Sequence, residues 1–179
     1  MRVEKTEIED LLVIVPSCFE DNRGYFFESY SEASFSNQGI NIKFIQDNQS
    51  LSKHGVVRGL HFQKAPYAQA KLVRVLQGEI LDVAVDIRKD SKTFGQHFSI
   101  VLSSENKKQL LVPKGFAHGF SVLSETATVL YKVDEFYNKE SESGIRYDDP
   151  ALKIDWKVKI SDVIVSEKDA ILGTIKDLD

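Results

Sequence analysis

The stretch KLVRVLQGEILDVAVDIR, residues 71–88, contains two strand-like runs separated by a Gln-Gly pair at positions 77–78. In the second run, Leu81, Val83 and Val85 alternate with small or acidic side chains. This period of two is typical of a β-strand, because successive side chains point to opposite faces of a sheet. A glycine between two such runs indicates a turn, since glycine adopts backbone angles that other residues avoid. The stretch therefore predicts two strands joined by a tight turn.

The same alternating pattern recurs along the chain, bounded by clusters of Gly, Pro, Asn and Ser. Leu110–Val112, for example, ends at a Pro-Lys-Gly sequence that is typical of a turn. Helical signals are short and lie at Ser31–Asn37 and at Lys168–Leu172, the latter after Ser166, a suitable N-cap. Many short strands with regular turns predict an all-β sandwich or barrel. The further strand-like runs lie at residues 98–102, 120–123 and 126–137.

The composition indicates a folded domain and argues against several classes of partner. Hydrophobic residues make up 42% and charged residues 28% of the 179 positions, so we expect one domain spanning residues 1–179. The net charge of −4 gives no general attraction to nucleic acid polymers or anionic lipid. The one cysteine, Cys18, cannot form an internal disulfide, which suits a reducing cytoplasm. The N-terminus lacks a signal-peptide pattern and no run reaches membrane-spanning length, so we expect a cytoplasmic protein without a membrane partner.

A second motif, GVVRGLHFQ at residues 55–63, places Arg58 and His61 beside two glycines in a strand-like run. Because these two side chains are three residues apart, a regular strand would point them to opposite faces. A bulge at Val57–Gly59 would bring both to one face, and Gly59 would permit close approach of another backbone or a ligand. A lone histidine at such a position is more often structural than catalytic, so His61 needs supporting groups before it indicates chemistry.

Lys71 and Tyr131 lie on other strand-like runs, each on a face shared with valines two residues away. A lysine on an inward face is seldom buried without an anionic partner, so Lys71 indicates a ligand site. A tyrosine there is commonly a core residue, but the same position also delivers a phenol into a barrel interior. With His61, these side chains supply the groups needed to move a proton at carbon while holding an anion.

The sequence does not support a metal site or a redox cofactor. The run His61-Phe62-Gln63 lacks the second, nearly adjacent histidine that a metal site on one strand needs, and His118 alone cannot complete one. The chain also has no glycine-rich dinucleotide fingerprint. We therefore expect catalysis, if any, without metal or cofactor.

Nine motifs occur in order through nearly the whole chain: DNRGYFFE, QDNQSLS, GVVRGLHFQ, AQAKLVRVLQGEILDVAVDIR, TFGQ, QLLVPKGFAHGFSVLS, YKVDEFYNKESESGI, DDPALKIDW and SEKD. Together they resemble the dTDP-4-dehydrorhamnose 3,5-epimerases, cupin-fold enzymes of deoxysugar nucleotide biosynthesis. The departures are small, with Lys92 where the family usually has proline and Ala70 where glycine is common. The resemblance implies an all-β cupin fold, a double-stranded β-helix or jelly-roll barrel with a few short helices.

The resemblance also implies a role for four side chains in proton transfer. His61 would be the general base, and Asp169 of the SEKD motif would hold its tautomer and orientation. Tyr131 would be the general acid on the opposite face of the sugar ring. Lys71 would stabilise the negative charge that develops on the C4 oxygen.

Ligand contacts and a partner subunit follow from the same resemblance. The family is dimeric and its N-terminal strands contribute to the partner's sheet, so residues 1–50 would lie at a homodimer interface and Arg23 would serve the neighbouring site. The substrate-binding groups would be Arg23, Arg58, Lys71, His118 and Lys168 on the diphosphate or sugar, with polar contacts from Glu28, Gln46, Asp47, Asn48 and Glu142.

The implied activity is epimerisation at C3 and C5 of dTDP-4-dehydro-6-deoxy-D-glucose to give dTDP-4-dehydro-L-rhamnose. A relative that inverts only C3 or only C5 would keep the same base and acid, and a 3,4-ketoisomerase on a similar sugar nucleotide is a more distant alternative. A non-catalytic sugar-binding cupin is disfavoured, because binding alone needs no opposed acid and base. A metal-dependent cupin oxygenase is disfavoured by the missing second histidine.

Overall fold

The computed structural model describes residues 1–178, and β-strands dominate them. Two short α-helices, α1 (Glu32–Ser36) and α2 (Glu167–Ala170), confirm the predicted helical signals. No helix in this range is long and apolar enough to cross a membrane. The strands are β1 (Arg2–Lys5), β2 (Leu12–Val15), β3 (Cys18–Asp21), β4 (Gly24–Phe27), β5 (Gln46–Lys53), β6 (Val57–Gln63), β7 (Lys71–Gln77), β8 (Glu79–Asp86), β9 (His97–Ser103), β10 (Gln109–Val112), β11 (Phe116–Val122), β12 (Thr126–Val133) and β13 (Glu142–Gly144).

The strands form two large antiparallel sheets and a separate hairpin. The six-stranded sheet has the order β1-β2-β10-β7-β12-β5, and the five-stranded sheet has the order β13-β6-β11-β8-β9. The hairpin consists of β3 and β4. Apolar side chains from both large sheets share one core, so the sheets pack face to face. This arrangement confirms the prediction of an all-β double-sheet barrel with few helices.

The turn at Gly78 carries the chain from one sheet to the other, because β7 belongs to the six-stranded sheet and β8 to the five-stranded sheet. Gly78 has a φ of +80°, and a Cβ atom at this position would lie 2.1 Å from the carbonyl oxygen of Thr126. A side chain therefore fits here neither conformationally nor sterically. The predicted turn is confirmed, and it joins strands of different sheets.

The core between the sheets takes side chains from both. Val73 and Val75 enter it from β7, and Ile80 and Ala84 enter it from β8. Burial of such side chains contributes roughly 25 cal/mol for each Å² of apolar surface removed from water. Because Lys71 occupies the same face of β7 as the two valines, it is directed toward the barrel interior.

Strand β8 is buried on both faces, which explains its nearly continuous burial from Ile80 to Asp86. Its outer face carries Leu81, Val83 and Val85, which pack with Trp156 and Ile175 of the C-terminal segment. This packing role for Trp156 agrees with the sequence prediction. A third cluster, formed by Ile14, Phe35, Ile40, Leu72 and Leu111, covers the outer face of the six-stranded sheet.

Candidate active site

A cavity of about 240 Å³ lies between the two large sheets. His61 lines it from β6 of the five-stranded sheet, whereas Lys71 and Tyr131 line it from β7 and β12 of the six-stranded sheet. The structure therefore brings together three side chains that the sequence singled out. The complete lining is Gln46, Asn48, His61, Phe62, Gln63, Gln69, Lys71, Tyr131, Tyr137 and Glu142.

A bulge in β6 places Arg58 and His61. His61 pairs with His118 of β11 and Arg58 pairs with Phe120, so two residues of β6 oppose the single Gly119. A Cβ atom at Gly59 would lie 2.6 Å from the Cα atom of Gly119, which explains the glycine. The sequence predicted a bulge at Val57–Gly59, and the structure has it one residue later, at Gly59–Leu60.

Immediately before the bulge, the Arg58 side chain reaches the six-stranded sheet, where its Nε donates to the Ser52 hydroxyl on the inward face of β5 at 3.0 Å.

His61 is held by a carboxylate from a distant helix. Its Nε2 lies 2.8 Å from Oδ1 of Asp169 on α2, and the other Asp169 oxygen accepts the Gly59 backbone N–H at 3.2 Å. Ser166 caps this helix and binds the backbone N–H of Asp169. Burial lowers the pKa of His61, Asp169 opposes that effect, and the nearby Lys71 charge adds to it. The imidazole is therefore neutral at pH 7, with Nδ1 left to accept a proton.

Lys71 occupies an environment that weakens its hold on a proton. Burial lowers its pKa to about 8, although the charges of Asp82 and Glu142 act in the opposite direction. At neutral pH the ammonium is still the main form, but it has lost much of its hydration. Such a group responds strongly to negative charge that develops beside it, because the surrounding medium screens little.

Tyr131 remains protonated across the physiological range. Burial raises the pKa of its phenol, and the Arg58 charge opposes this effect only in part. Tyr131 pairs with Val73 on β7, and Lys71 pairs with Val133 on β12, so Tyr131 and Lys71 are diagonal neighbours on the same face. A protonated phenol and an ammonium therefore face the cavity from neighbouring strands of one sheet.

Glu142 connects three elements at the cavity. Its Oε2 accepts hydrogen bonds from Lys168 of α2 at 2.5 Å and from the Tyr137 hydroxyl at 2.7 Å. Burial alone would raise the pKa of Glu142, but these two hydrogen bonds outweigh it and hold the pKa below the ordinary value. The ion pair also ties α2, which carries Asp169, to β13 beside β6.

A second histidine–aspartate pair lies deeper in the barrel. His118 Nε2 is 2.8 Å from Oδ1 of Asp82, and both side chains are buried. The other oxygen of Asp82 is buried and has no hydrogen-bond partner within residues 1–178. The predicted ligand contact His118 is thus engaged by Asp82 and does not line the cavity.

Six further residues of the predicted site are not part of the cavity lining. Asp169 and Lys168 contact the lining residues His61 and Glu142, and Arg58 contacts Ser52. The other three make contacts elsewhere in their own chain. Arg23 is on the exposed hairpin and forms an ion pair with Asp21 at 2.6 Å. The carboxylate of Glu28 accepts the Ser34 hydroxyl at 2.6 Å. Asp47 is on the outer face of β5 and binds Lys132, whereas Gln46 and Asn48 point inward.

The sequence analysis missed some residues that the structure brings to the site. Asp82 gave no signal, because its alternating neighbours suggested only a strand. Gln63 follows His61 by two residues, so strand periodicity alone would have placed it on the same face. Tyr137 and Gln69 lie in loops, where no periodic pattern exists. No metal-binding group of three or more His, Cys, Asp or Glu side chains occurs in the part of the chain that the structure describes.

The double-sheet barrel is of the cupin type, and acidic and basic side chains surround one cavity between its sheets. Residues 5–177 match the family of the dTDP-4-dehydrorhamnose 3,5-epimerases. The chain belongs to this family, which confirms the resemblance noted in its motifs and its classification as an isomerase.

Individual relatives support this assignment over nearly the full chain. The dTDP-4-dehydrorhamnose 3,5-epimerase of Escherichia coli strain K12 is 48% identical over 179 residues, covering 99% of this chain and 96% of that protein. The crystal structure of the enzyme from Elizabethkingia anophelis NUHP1 has a TM-score of 0.95 and 53% identity, covering 99% and 97% of the two chains. The 3,5-epimerase of Legionella pneumophila Philadelphia 1, in complex with dTDP-4-keto-L-rhamnose, has a TM-score of 0.95 and 47% identity, covering 99% and 94%. The cupin-type barrel is thereby confirmed.

Proposed function

We propose that this protein inverts C3 and C5 of dTDP-4-dehydro-6-deoxy-D-glucose and releases dTDP-4-dehydro-L-rhamnose. The observation that carries this proposal is the placement of His61 and Tyr131 on opposite sheets around one cavity. Inversion requires that a proton leave one face of the sugar ring and return to the other. A base alone would restore the original centre, so an acid must stand opposite.

The first step breaks a C–H bond next to the C4 ketone. The proton moves to Nδ1 of His61, and the electron pair spreads onto the C4 oxygen as an enolate. Burial lowers the pKa of His61, which keeps the imidazole unprotonated at neutral pH and able to accept this proton. Asp169 then stabilises the imidazolium through the 2.8 Å contact at Nε2. Positioned proton transfer of this kind is typically worth about 10²–10⁴ in rate.

Lys71 stabilises the enolate. Its ammonium is directed toward the cavity and poorly hydrated, so the developing charge on the C4 oxygen gains more from it than the neutral ketone does. Losing one preorganised contact to an oxyanion typically costs about 3–4 kcal/mol. This contact needs no metal ion, and metal independence is a prediction that exhaustive chelation would check.

Reprotonation completes each inversion. The Tyr131 hydroxyl gives its proton to the carbon from the opposite face, and the carbonyl at C4 reforms. The imidazolium of His61 loses its proton to solvent and the Tyr131 phenolate regains one, so the enzyme returns to its starting state. The same base and acid treat the second centre after the ring turns over or shifts in the cavity.

The substrate's diphosphate and sugar are held by side chains around the cavity. Lys168, on α2, is the described cation closest to Glu142 of the lining, and Arg58 lies near Tyr131. His118 lies behind the lining in this proposal and acts together with Asp82, to which it is hydrogen-bonded. Arg23, Glu28 and Asp47 act across the interface of a homodimer, in which the N-terminal segment docks on the partner. Exposed Phe19 and Phe26 on the hairpin support this interface, because large apolar side chains are costly in water.

The predicted cytoplasmic location is part of the same proposal, since a sugar-nucleotide substrate and a single cysteine both suit that compartment. Sedimentation at low protein concentration would test the dimer. A stable, fully active monomer would contradict the assignment of Arg23, Glu28 and Asp47 to a partner's site.

Proton NMR in heavy water tests both the reaction and the separate roles of His61 as base and Tyr131 as acid. The wild type should place deuterium at both C3 and C5 of the product. Tyr131→Phe keeps the ring and deletes the acid, so it should still exchange substrate protons through His61 while forming little inverted product. Label at one carbon only in the wild-type product would favour a single-centre epimerase. Wild-type inversion by Tyr131→Phe would remove Tyr131 from the role of acid.

A further inference from the structure

The loop between β12 and β13, residues 134–141, forms one wall of the cavity through Tyr137. The sequence predicted a strand up to Tyr137, but β12 ends at Val133. Ala70 explains part of the difference, because its backbone N–H binds Oδ1 of Asp134 at 2.7 Å. This contact turns the chain toward the segment of residues 64–70 and away from further pairing.

Gln63, the last residue of β6, is buried and makes three hydrogen bonds to these two loops. Its Nε2 donates to the carbonyl oxygens of Tyr67 at 2.6 Å and Phe136 at 3.1 Å. Its Oε1 accepts the backbone N–H of Asn138 at 2.7 Å. The last two contacts fall on the residues directly before and after Tyr137, so the Gln63 amide fixes the backbone of that residue from both sides.

Tyr137 itself is 58% exposed, and within residues 1–178 its side chain makes one hydrogen bond, through the hydroxyl. Its hydroxyl donates to Oε2 of Glu142, which also accepts Lys168. If the backbone of Tyr137 were not held in place, its ring could move out of the cavity and its hydrogen bond to Glu142 would be lost. Gln69 adds one further tie, from its Nε2 to the carbonyl oxygen of Glu135 at 2.7 Å. Gln63 is bound to the two residues that flank Tyr137 in the sequence, whereas Gln69 is bound two residues before it.

We propose that Gln63 is a positioning residue for substrate binding, which acts by holding Tyr137 and its Glu142 contact at the cavity wall. This inference rests on the proposed function, in that the ligand is a sugar nucleotide. Gln63 hydrogen-bonds to backbone groups outside the proton-transfer groups, so its effect falls on binding and leaves the chemical step intact. A glutamine at this position of β6 thus organises the wall of the site instead of holding a metal ion.

The test is a double-mutant cycle with Gln63→Met and Tyr137→Ala. Methionine preserves the length of the side chain but makes none of the three hydrogen bonds. Gln63→Met should raise KM at least tenfold and leave kcat within threefold of wild type. In a Tyr137→Ala background the same change should add less than twofold, because residues that act as one unit are not additive. Additive effects, or a lower kcat at unchanged KM, would overturn the proposal.

Two controls separate this role from a purely structural one. Ser121→Ala removes another buried bond to backbone, from the Ser121 hydroxyl to the Trp156 carbonyl at 2.6 Å, and should leave KM unchanged. Gln63→Glu keeps the acceptor for Asn138 and loses both donors, so it should also raise KM. If neither Gln63 variant folds, the residue serves folding and the proposal is wrong. Calorimetric binding of dTDP should weaken with Gln63→Met even if the wild type fails to epimerise, which separates this inference from the proposed reaction.

Discussion

Two histidine–aspartate pairs lie side by side in the barrel with the same contact distance and different surroundings. In each pair the histidine Nε2 is 2.8 Å from an aspartate Oδ1, and His61 and His118 are direct partners on β6 and β11. The His61 side chain is 32% exposed and that of His118 is 8% exposed. Asp169 satisfies its second oxygen with the Gly59 N–H, whereas the second oxygen of Asp82 is unpartnered among residues 1–178.

The two pairs share their contact geometry, so this geometry does not distinguish the candidate base. Exposure to the cavity and the protonation state of the imidazole do. His61 opens onto the cavity and carries a lowered pKa, so it is neutral and reachable by a substrate. His118 is enclosed, and its partner Asp82 acts electrostatically on Lys71. One pair is suited to accept a proton, and the other is suited to support the charge of Lys71, which stabilises the enolate in the proposed mechanism. Each of the four side chains can be replaced separately to test this contrast.

Replacing His61 should have the largest effect. His61→Gln keeps a polar side chain of similar size but removes the base, so kcat should fall by about 10³-fold, within the range for positioned proton transfer. Binding of dTDP should persist, because the cations proposed to hold the diphosphate, Arg58 and Lys168 among them, are unchanged. Steady-state kinetics and calorimetry measure the two quantities. Turnover near the wild-type rate would show that another group removes the proton.

Replacing Asp169 should be less severe. Asp169→Asn leaves the imidazole in place but loses the charge that orients it and stabilises the imidazolium, so kcat should fall by about 10–100-fold, part of the full effect of the base. The Asp169 charge raises the pKa of His61, and its removal therefore lowers that pKa further. The acid limb of kcat/KM, which we expect below pH 6.5 in the wild type because burial lowers the pKa of His61, should move to lower pH. A shift to higher pH would contradict this electrostatic role.

The sequence predicted the first pair better than the second. His61 lies in a motif with glycines, and the bulge that places it follows from local spacing. Asp169 is 108 residues away, so local pattern could not pair them, and only the family resemblance did. Asp82 was missed for a different reason. On β8 the apolar side chains Leu81 and Val83 face the outer cluster, and Asp82 faces the interior. A strand with one solvent-facing side would instead point its apolar residues inward and its aspartate outward.

This reversal depends on the C-terminal segment, whose Trp156 and Ile175 cover β8 from outside. The local alternation of side chains cannot indicate that residues more than 70 positions away will bury the outer face of this strand. The overall fold class, the short helices and the turn at Gly78 depend on local signals, and all were predicted. The loop around Tyr137 depends on hydrogen bonds to Gln63, which is distant in sequence, so its structure was not predicted.

Changing Asp82 should affect activity mainly at high pH. The wild-type enzyme should lose kcat/KM above about pH 8, because Lys71 sheds its charge there. The Asp82 charge raises the pKa of Lys71, so Asp82→Asn should lower that pKa and move the alkaline limb to lower pH. Activity at pH 7 should change little, while activity at pH 9 should fall several-fold further than in the wild type. An unchanged alkaline limb in kcat/KM profiles would separate Asp82 from Lys71.

Changing His118 should affect turnover least. His118→Gln retains an N–H donor for Asp82 in the same region, so Lys71 keeps its neighbouring charge and His61 keeps its base function. We expect kcat to fall by no more than a few-fold, with any larger loss confined to KM if His118 also contacts the ligand. Imperfect replacement of a buried hydrogen bond should lower the free energy of unfolding by about 1–3 kcal/mol. Denaturant unfolding beside steady-state kinetics measures both, and a loss of kcat comparable to that of His61→Gln would mean that the two pairs share the chemistry.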